Sequence, residues 1–461
     1  MRDPEVAADL LDRGAGRGRL LREKRLLLAL GDGVAVALAF VLAFNLRSAA
    51  IRHEFFSVPW LPLAITLVTW YLCAEIADGY RLLSAVNPRA AFTSAASTLS
   101  LSFVALLGVF FIVPYRITRP TILLWVPLTA AAVLSWRTLY QQVFAHGLFA
   151  GNLIVIAERG TFEQIWAEAS AGLPNLYRVV EVIDPRRTDL DARLSALAKD
   201  TGADIVIGVR DEVPRTVLNR LVACAERGGR VRFLANVFEE MTGRLLLEQL
   251  GYSWFMSLPH QSDASRLFAV SKRAVDMVLG AIGFAVLGLT YVPIALAILF
   301  EDGAPVFYRQ TRVGKFDRPF EMLKFRTMYR NSRTATIEEQ QTSLDDPRVT
   351  RVGRILRPLH LDELPQSINI LRGDMSVVGP RPEQPQHSAV LGKNIEYYNL
   401  RLSVRPGLTG WAQVNFGYGA GLEGAREKLS YDLYYIERRS FGLDLLIIAR
   451  TVRAIFSLRG R

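Results

Sequence analysis

Two cysteines and five histidines are all that 461 residues offer to a soft metal. Cys73 lies in an apolar run and Cys224 in a soluble-looking stretch, so neither a disulfide framework nor a cysteine-pair metal site is expected. His53, His146, His260 and His387 are scattered and suggest no metal centre, and His360 reads as structural or interfacial. Acid is in deficit as well. There are 44 Asp plus Glu against 55 Lys plus Arg, a net charge of +11, which suits nucleic acid or anionic lipid. What is abundant decides between them. Hydrophobic residues make up 51% and the mean hydropathy is +0.20, high for a soluble protein. Lipid and a phosphorylated substrate are therefore the expected partners, with no nucleic acid. No small-residue cleavage site follows the first apolar run, so that run reads as an anchor and not a removed signal.

The expected fold class is membrane α/β in three parts. Residues 1–148 carry four apolar stretches, about Leu26–Leu46, Val58–Ala77, Leu99–Pro114 and Ile122–Trp136, the last two short. Arg13, Arg17, Arg19, Arg22, Lys24 and Arg25 precede the first stretch and place the N-terminus in the cytoplasm. Asp32 and Glu75 lie near stretch ends, where their charge reaches headgroups.

Residues 149–265 alternate short strands (Leu153–Ala157, Tyr177–Ile183, Ala203–Val209, Arg230–Leu234) with helical patterns (Thr161–Ala171, Leu190–Lys199, Pro214–Arg227). That alternation predicts a Rossmann-like parallel sheet. Its first turn, Ala157-Glu158-Arg159-Gly160, lacks G-x-G-x-x-G and offers a carboxylate where a pyrophosphate would sit. The expectation is a degenerate regulatory or assembly domain without NAD.

Residues 266–461 open with Ala274–Phe300, long enough to span a bilayer yet basic on both sides. Arg266, Lys272 and Arg273 precede it, and Arg309, Arg312, Lys315 and Arg318 follow. A re-entrant helix kinked at Pro293 satisfies both flanks, with Thr290 placed to take up a freed carbonyl. The mainly helical remainder carries the chemistry.

Lys324-Phe325-Arg326-Thr327-Met328 is followed by Arg348, Arg351, Arg354 and Arg357 at three-residue spacing. Guanidinium groups among Gly and Pro turns suit phosphate oxygens, although an arginine repeat is equally a solvated or lipid-facing helix face. Asp362-Glu363 is the sharpest feature, because it sits in an apolar frame from Ile355 to Leu371. Adjacent carboxylates raise each other's pKa. A divalent cation relieves this: one carboxylate holds Mg²⁺ while the other attacks phosphorus.

The segment Leu361–Pro382, L-D-E-L-P-Q-S-I-N-I-L-R-G-D-M-S-V-V-G-P-R-P, resembles the signature of the bacterial sugar transferases, monotopic polyprenyl phosphosugar transferases. K-F-R-T-M resembles the family's K-F-R-S-M, and R-P-G-L-T-G-W-A-Q-V and Y-D-L-Y-Y-I-E-R-R-S also match. The resemblance is strong over about Lys272–Arg461, and the preceding parts are similar to the long form that initiates exopolysaccharide or capsule synthesis. It implies that Asp362 attacks the sugar-bearing phosphorus of a UDP-sugar, releasing UMP, and that undecaprenyl phosphate then takes the phosphosugar. It implies that Glu363, with Asp362, binds Mg²⁺, and that Arg381 is a phosphate ligand alongside Lys324, Arg326, Asp374 and Arg405. It also implies an inner-membrane lipid setting with the catalytic part in the cytoplasm; further expected partners are other polysaccharide assembly proteins and a second copy of the chain. In the family a Ser-Pro pair kinks the re-entrant helix; here Pro293 lies about one turn later. The C-terminal Leu429–Ser457 region reads as amphipathic helices on the membrane surface, or equally as helices packed on the catalytic core. The alternative function is a non-catalytic membrane scaffold or regulator; a transporter would need polar or broken helices that are not evident in the first part.

Overall fold

A computed structural model describes residues 19–52, 60–77, 79–80, 88–112, 119–145, 150–171, 177–187, 204–208, 221–222, 230–250, 263–330, 346–417, 419 and 421–456. The expected helices Leu190–Lys199 and Pro214–Arg227, and Cys224, lie outside these or almost wholly so. The chain divides into two units, Met1–Gly251 and Tyr252–Arg461.

In the first unit the apolar stretches form four helices: α1 (Arg19–Arg52), α2 (Trp60–Ile76), α3 (Pro88–Ile112) and α4 (Arg119–Ala145). The last two run well beyond their apolar runs, to 25 and 27 residues, and are not short. Glu23–Leu46, Ala91–Val109 and Thr121–Val143 are long and apolar enough to cross a membrane, while α2 is a shorter apolar helix of 17 residues. Leu30, Leu38, Leu42 and Leu46 of α1 face outward, Leu38 at 64% exposure, whereas Val36, Phe40, Trp70 and Trp125 pack inside. That inversion suits lipid outside and protein within.

Asp32 departs from the headgroup reading. It is fully buried and accepts two hydrogen bonds from Arg137, Nη2 to Oδ2 at 2.7 Å and Nε to Oδ1 at 3.3 Å. Inside an apolar bundle a carboxylate pairs rather than snorkels, because desolvation without a partner costs several kcal/mol. Glu75 is half-exposed and pairs with Arg25.

The same unit holds a four-stranded parallel sheet, β1 (Gly151–Ile156), β2 (Tyr177–Ile183), β3 (Asp204–Ile207) and β4 (Val231–Phe233), in the order β2-β1-β3-β4. β1 is buried on both faces, which explains its unbroken apolar run. Helices α5 (Arg159–Ser170) and α6 (Leu234–Thr242) follow β1 and β4. Phe162, Phe238 and Met241 share one core with Leu153 and Val155 of the sheet and with Leu28, Ala74 and Tyr140 of the helices.

The second unit begins with α7 (Asp263–Asp302), 40 residues and therefore about 60 Å long. It starts earlier than the apolar stretch, and Pro293 lies inside it as one helix. Thr290 Oγ1 donates to Val286 O at 2.8 Å and not to the carbonyl that Pro293 leaves free, one turn before the proline, at Leu289. One narrow seam, Asp276, Gly280, Leu287, Ile294 and Ile298, is buried. The other side exposes Val278, Ile282, Leu289, Val292 and Phe300, the last at 86%.

The antiparallel pair β5 (Phe307–Val313) and β6 (Pro319–Phe325) follows, then α8 (Arg351–Leu356), α9 (Gln366–Arg372), β7 (Ser376–Val378), α10 (Pro385–Asn394), β8 (Gly407–Thr409), α11 (Trp411–Asn415), α12 (Gly421–Arg438) and α13 (Phe441–Phe456). β7 pairs in parallel with β8. Beyond this pair three glycines touch: a Cβ on Gly407 would lie 2.1 Å from Gly379 N, and one on Gly410 would lie 2.2 Å from Gly379 O. Of the two readings for the C-terminus, packing holds for α12: Leu429, Leu433, Tyr435 and Ile436 are buried, and Tyr434 stacks on Trp411. α13 buries Ile447 but leaves Phe441, Leu445 and Val452 exposed.

Candidate active site

Helix α7 is stitched to the rest of its unit from end to end. Lys272 Nζ donates to Asp444 Oδ2 (2.7 Å), and Arg273 donates to Ile370 O (2.7 Å), which also accepts from Gly373 N, and to Leu371 O (2.8 Å) in the last turn of α9. Asp276 Oδ1 accepts from Ser376 Oγ and Val377 N, each at 2.9 Å. At the far end Glu301 accepts from the backbone N–H groups of Arg351 (2.6 Å) and Val352 (2.9 Å), which open α8. Leu287, Ile294 and Ile298 pack with Phe325 and Leu356 in between. The segment from α8 to α9 is thus fixed at both ends to α7.

Between α8 and α9, His360 adopts a left-handed conformation (φ 53°) and a single 3-10 turn, Leu361–Glu363, presents the two acids. Pro365 then starts α9, whose Asn369 is fully buried. Asn369 Oδ1 accepts from Leu323 N (3.1 Å) and its Nδ2 donates to Glu321 O (2.7 Å), which locks α9 to β6 and sets the register of Lys324. Lys324 Nζ donates to Glu363 Oε1 at 2.6 Å, and Arg381 Nη2 reaches the same oxygen at 3.1 Å.

The two neighbouring carboxyls differ. Burial alone would raise Glu363, but the charges of Lys324 and Arg381 and the Lys324 hydrogen bond outweigh it and hold Glu363 well below the usual range. Asp362 is 8% exposed, and among the described residues its carboxyl receives no hydrogen bond. Burial, with a smaller push from Glu363, raises its pKa despite the opposing charges of Lys324 and Arg357. The mutual repulsion of the pair is therefore opposed by the protein cations at Glu363.

Of the other expected site residues, Arg326 is 7% exposed and donates to the carbonyls of Asp302 (3.1 Å) and Gly303 while pairing with Asp302 Oδ2 (3.4 Å). It closes the end of α7; its Nε and Nη1 have no partner among the described residues. Asp374 accepts from Asn369 Nδ2 (3.3 Å) at the end of α9. Arg405 is exposed; burial chiefly, and then the charges of Arg405 and Arg439, lower the pKa of Lys315. The structure thus brings Lys324 and Arg381 to the acid pair and shows no side-chain bond from Arg326, Asp374 or Arg405 to either acid. Arg348 pairs with Asp346 (2.6 Å), while Arg351 and Arg354 are exposed.

Arg357, the last of the arginine repeat, is the residue that the sequence left undistinguished. Its Nε donates to Thr327 Oγ1 (3.0 Å), and its charge couples to Asp362. The available signal was its place five residues before the acid, combined with the hydroxyl of K-F-R-T-M. A hollow beside Arg381 is lined by Val313, Gly314, Pro380, Arg401, Val404 and Pro406, with neither acid in its wall.

A family model described as bacterial sugar transferase matches residues 267–458. A UDP-N-acetylgalactosamine-undecaprenyl-phosphate N-acetylgalactosaminephosphotransferase of Aeromonas hydrophila is 37% identical over 254 residues, 55% of this chain and 59% of the relative, so the chain spans under two thirds of that protein. A UDP-glucose:undecaprenyl-phosphate glucose-1-phosphate transferase of Klebsiella pneumoniae is 29% identical over 437 residues, 88% of this chain and 90% of the relative. The exopolysaccharide production protein ExoY of Sinorhizobium fredii (strain NBRC 101917 / NGR234) is 36% identical over 217 residues, only 44% of this chain but 93% of the relative. With the acid pair, the arginine loop and nearly all of α7 inside the matched segment, and a 36% identical relative covered over 93% of its length, the chain belongs to the bacterial sugar transferase family.

Proposed function

We propose that the chain transfers a sugar-1-phosphate from a UDP-sugar to undecaprenyl phosphate, the initiating step of exopolysaccharide or capsule synthesis, at the inner membrane with the catalytic unit in the cytoplasm. One observation carries the reading: a buried carboxyl that accepts no hydrogen bond among the described residues, Asp362, stands beside an acid already neutralised by Lys324 and Arg381. An oxygen of Asp362 attacks the sugar-bearing phosphorus, the phosphoanhydride bond breaks and UMP leaves. A phosphate oxygen of undecaprenyl phosphate then attacks the aspartyl phosphosugar, regenerating the carboxylate. Arg381, 41% exposed at its side chain, and Arg357 face the phosphate charge, and Lys324 holds Glu363 in place.

The donor set fits Mg²⁺ through few oxygens. Both cations engage Glu363 Oε1, so Oε2 would be the protein oxygen that holds Mg²⁺, with Asp362 beside it. Bound there, Mg²⁺ would neutralise phosphate charge. The deciding assay is UMP release by the full chain with undecaprenyl phosphate and Mg²⁺ against a panel of UDP-sugars, glucose, galactose and N-acetylgalactosamine first. Release with none of them sinks the reading. A chain shortened to about Arg266 onward is expected to keep transferring, because every residue assigned to the chemistry lies after Lys272.

In this proposal α7 dips into the bilayer and bends at Pro293, so that both of its ends stay on the same face. Support comes from its two ends, near Lys272 and Glu301, which both bond to the cytoplasmic unit, and from the exposed apolar side opposite the seam. Single cysteines replacing Ser262 and Ser457, in a chain lacking Cys73 and Cys224, should both resist impermeant thiol reagents from outside. Labelling of Ser457→Cys alone would show a true span.

A further inference from the structure

The loop Gly379-Pro380-Arg381-Pro382 carries the arginine that meets Glu363, yet its two prolines have no backbone N–H with which to anchor it. Gly379 N–H is used on Thr409 O (2.9 Å), and the carbonyls from Pro380 to Glu383 are the further handles, each held by a different donor. Gly407 N donates to Pro380 O (2.9 Å), Arg401 Nη2 to Arg381 O (2.9 Å), Arg312 Nη1 to Pro382 O (3.0 Å) and Val313 N to Glu383 O (2.9 Å).

Arg401 differs from the other three donors. It is 5% exposed, and its guanidinium is held by Asp432 Oδ2 (2.9 Å), Glu383 Oε1 (3.8 Å) and the Tyr398 hydroxyl, to which Nη1 donates at 2.7 Å. Asp432 is itself 1% exposed, and Lys428 Nζ balances Glu383 at 2.5 Å. Packing alone does not call for such a group, since a buried ion pair is at best marginally more stabilising than apolar residues of the same volume. What an apolar side chain cannot do is donate to the Arg381 carbonyl.

We infer that Arg401, oriented by Asp432, is a positioning residue: it fixes the peptide of Arg381 so that the Arg381 guanidinium reaches Glu363 and the substrate phosphate. The inference rests on the transfer reaction proposed above for the importance of Arg381, but the clamp itself is separable from it. Supporting groups that orient a directly acting residue typically matter by about 10–100-fold.

The test uses the full chain in nanodiscs with two readouts. Arg401→Lys keeps the charge opposite Asp432 but cannot serve Tyr398 and the Arg381 carbonyl in the same fork geometry. It should lower kcat for UMP release about 10–100-fold with little change in KM, and it should speed hydrogen exchange in the peptide spanning residues 379–383. Because Arg401 acts only through Arg381, adding Arg401→Lys to Arg381→Ala should cost nothing further. Additive losses, or unchanged exchange in that peptide, would overturn the clamp. If Arg401→Lys does not fold, Asp432→Asn, which leaves Arg401 in place, should show the same non-additivity with a smaller loss; additivity there overturns it equally. A wild-type chain that releases no UMP removes the transfer reading, and the exchange measurement then still decides the clamp.

Discussion

Asp32 and Asp362 are both buried aspartates, in different units, and their environments point in opposite directions. Asp32 is gripped by Arg137 through two hydrogen bonds. Asp362 accepts none among the described residues, although Lys324 and Arg381 are at hand, because both are spent on Glu363. A carboxylate meant to hold helices together is saturated. Asp362, which the proposed reaction uses as the nucleophile, is left unquenched, at a cost in stability that the surrounding fold must carry.

The largest effect that sharpens this contrast is catalytic. Asp362→Asn should reduce UMP release by about 10⁴-fold or more, since an amide is a poor nucleophile, and labelled donor should leave no phosphosugar on the chain. Glu363→Gln should lose about 10²-fold together with its Mg²⁺ dependence. Full turnover by Asp362→Asn would end the covalent mechanism. Next comes the other aspartate. Asp32→Ala strands Arg137 in the bundle and should destabilise the first unit by about 3–5 kcal/mol, read as lost thermal stability and yield, while the rate per folded molecule stays close to wild type. A chain as stable as wild type would show that the pair is not structural.

The smallest effect is in pH. In the proposed reaction Asp362 attacks as the carboxylate, and burial raises its pKa, so UMP release should climb as pH rises through a value above that of an ordinary aspartate. For stability the sign reverses between neighbours. The raised Asp362 contributes most below its unfolded value and loses that contribution as pH rises through its folded value. The depressed Glu363 contributes above its unfolded value and loses that as pH falls toward its folded one. Asp362→Asn should accordingly raise the melting temperature by a few degrees at neutral pH; a drop would contradict the unquenched carboxylate.

Local pattern made much of this visible beforehand. Apolar runs and β-branched clusters placed the four strands within a few residues and found all four helices, whose polar end turns extend well beyond the apolar runs, because helix and strand periods are written in neighbouring positions. The acid pair stood out for its apolar frame. What stayed hidden depends on contacts distant in sequence. Arg137 lies 105 residues from Asp32, and nothing local says that the two meet. Arg326 carried the same signal as Lys324 two residues away, but strand alternation turns one toward the acids and the turn after β6 takes the other to the end of α7. Asn369 and Arg401 were equally silent, since a buried polar side chain reveals its purpose only through the carbonyls and amides that it serves.

The glycine junction near β7 and β8 has a consequence for anyone recombining these enzymes. Gly379, Gly407 and Gly410 meet backbone to backbone, so the arginine loop and the Arg405–Gly410 segment behave as one inherited block. A chimera that exchanges donor specificity should take both segments from the same parent and place its crossover points outside residues 376–410. A breakpoint between them asks two independently drifted backbones to meet with no side chain to absorb the mismatch.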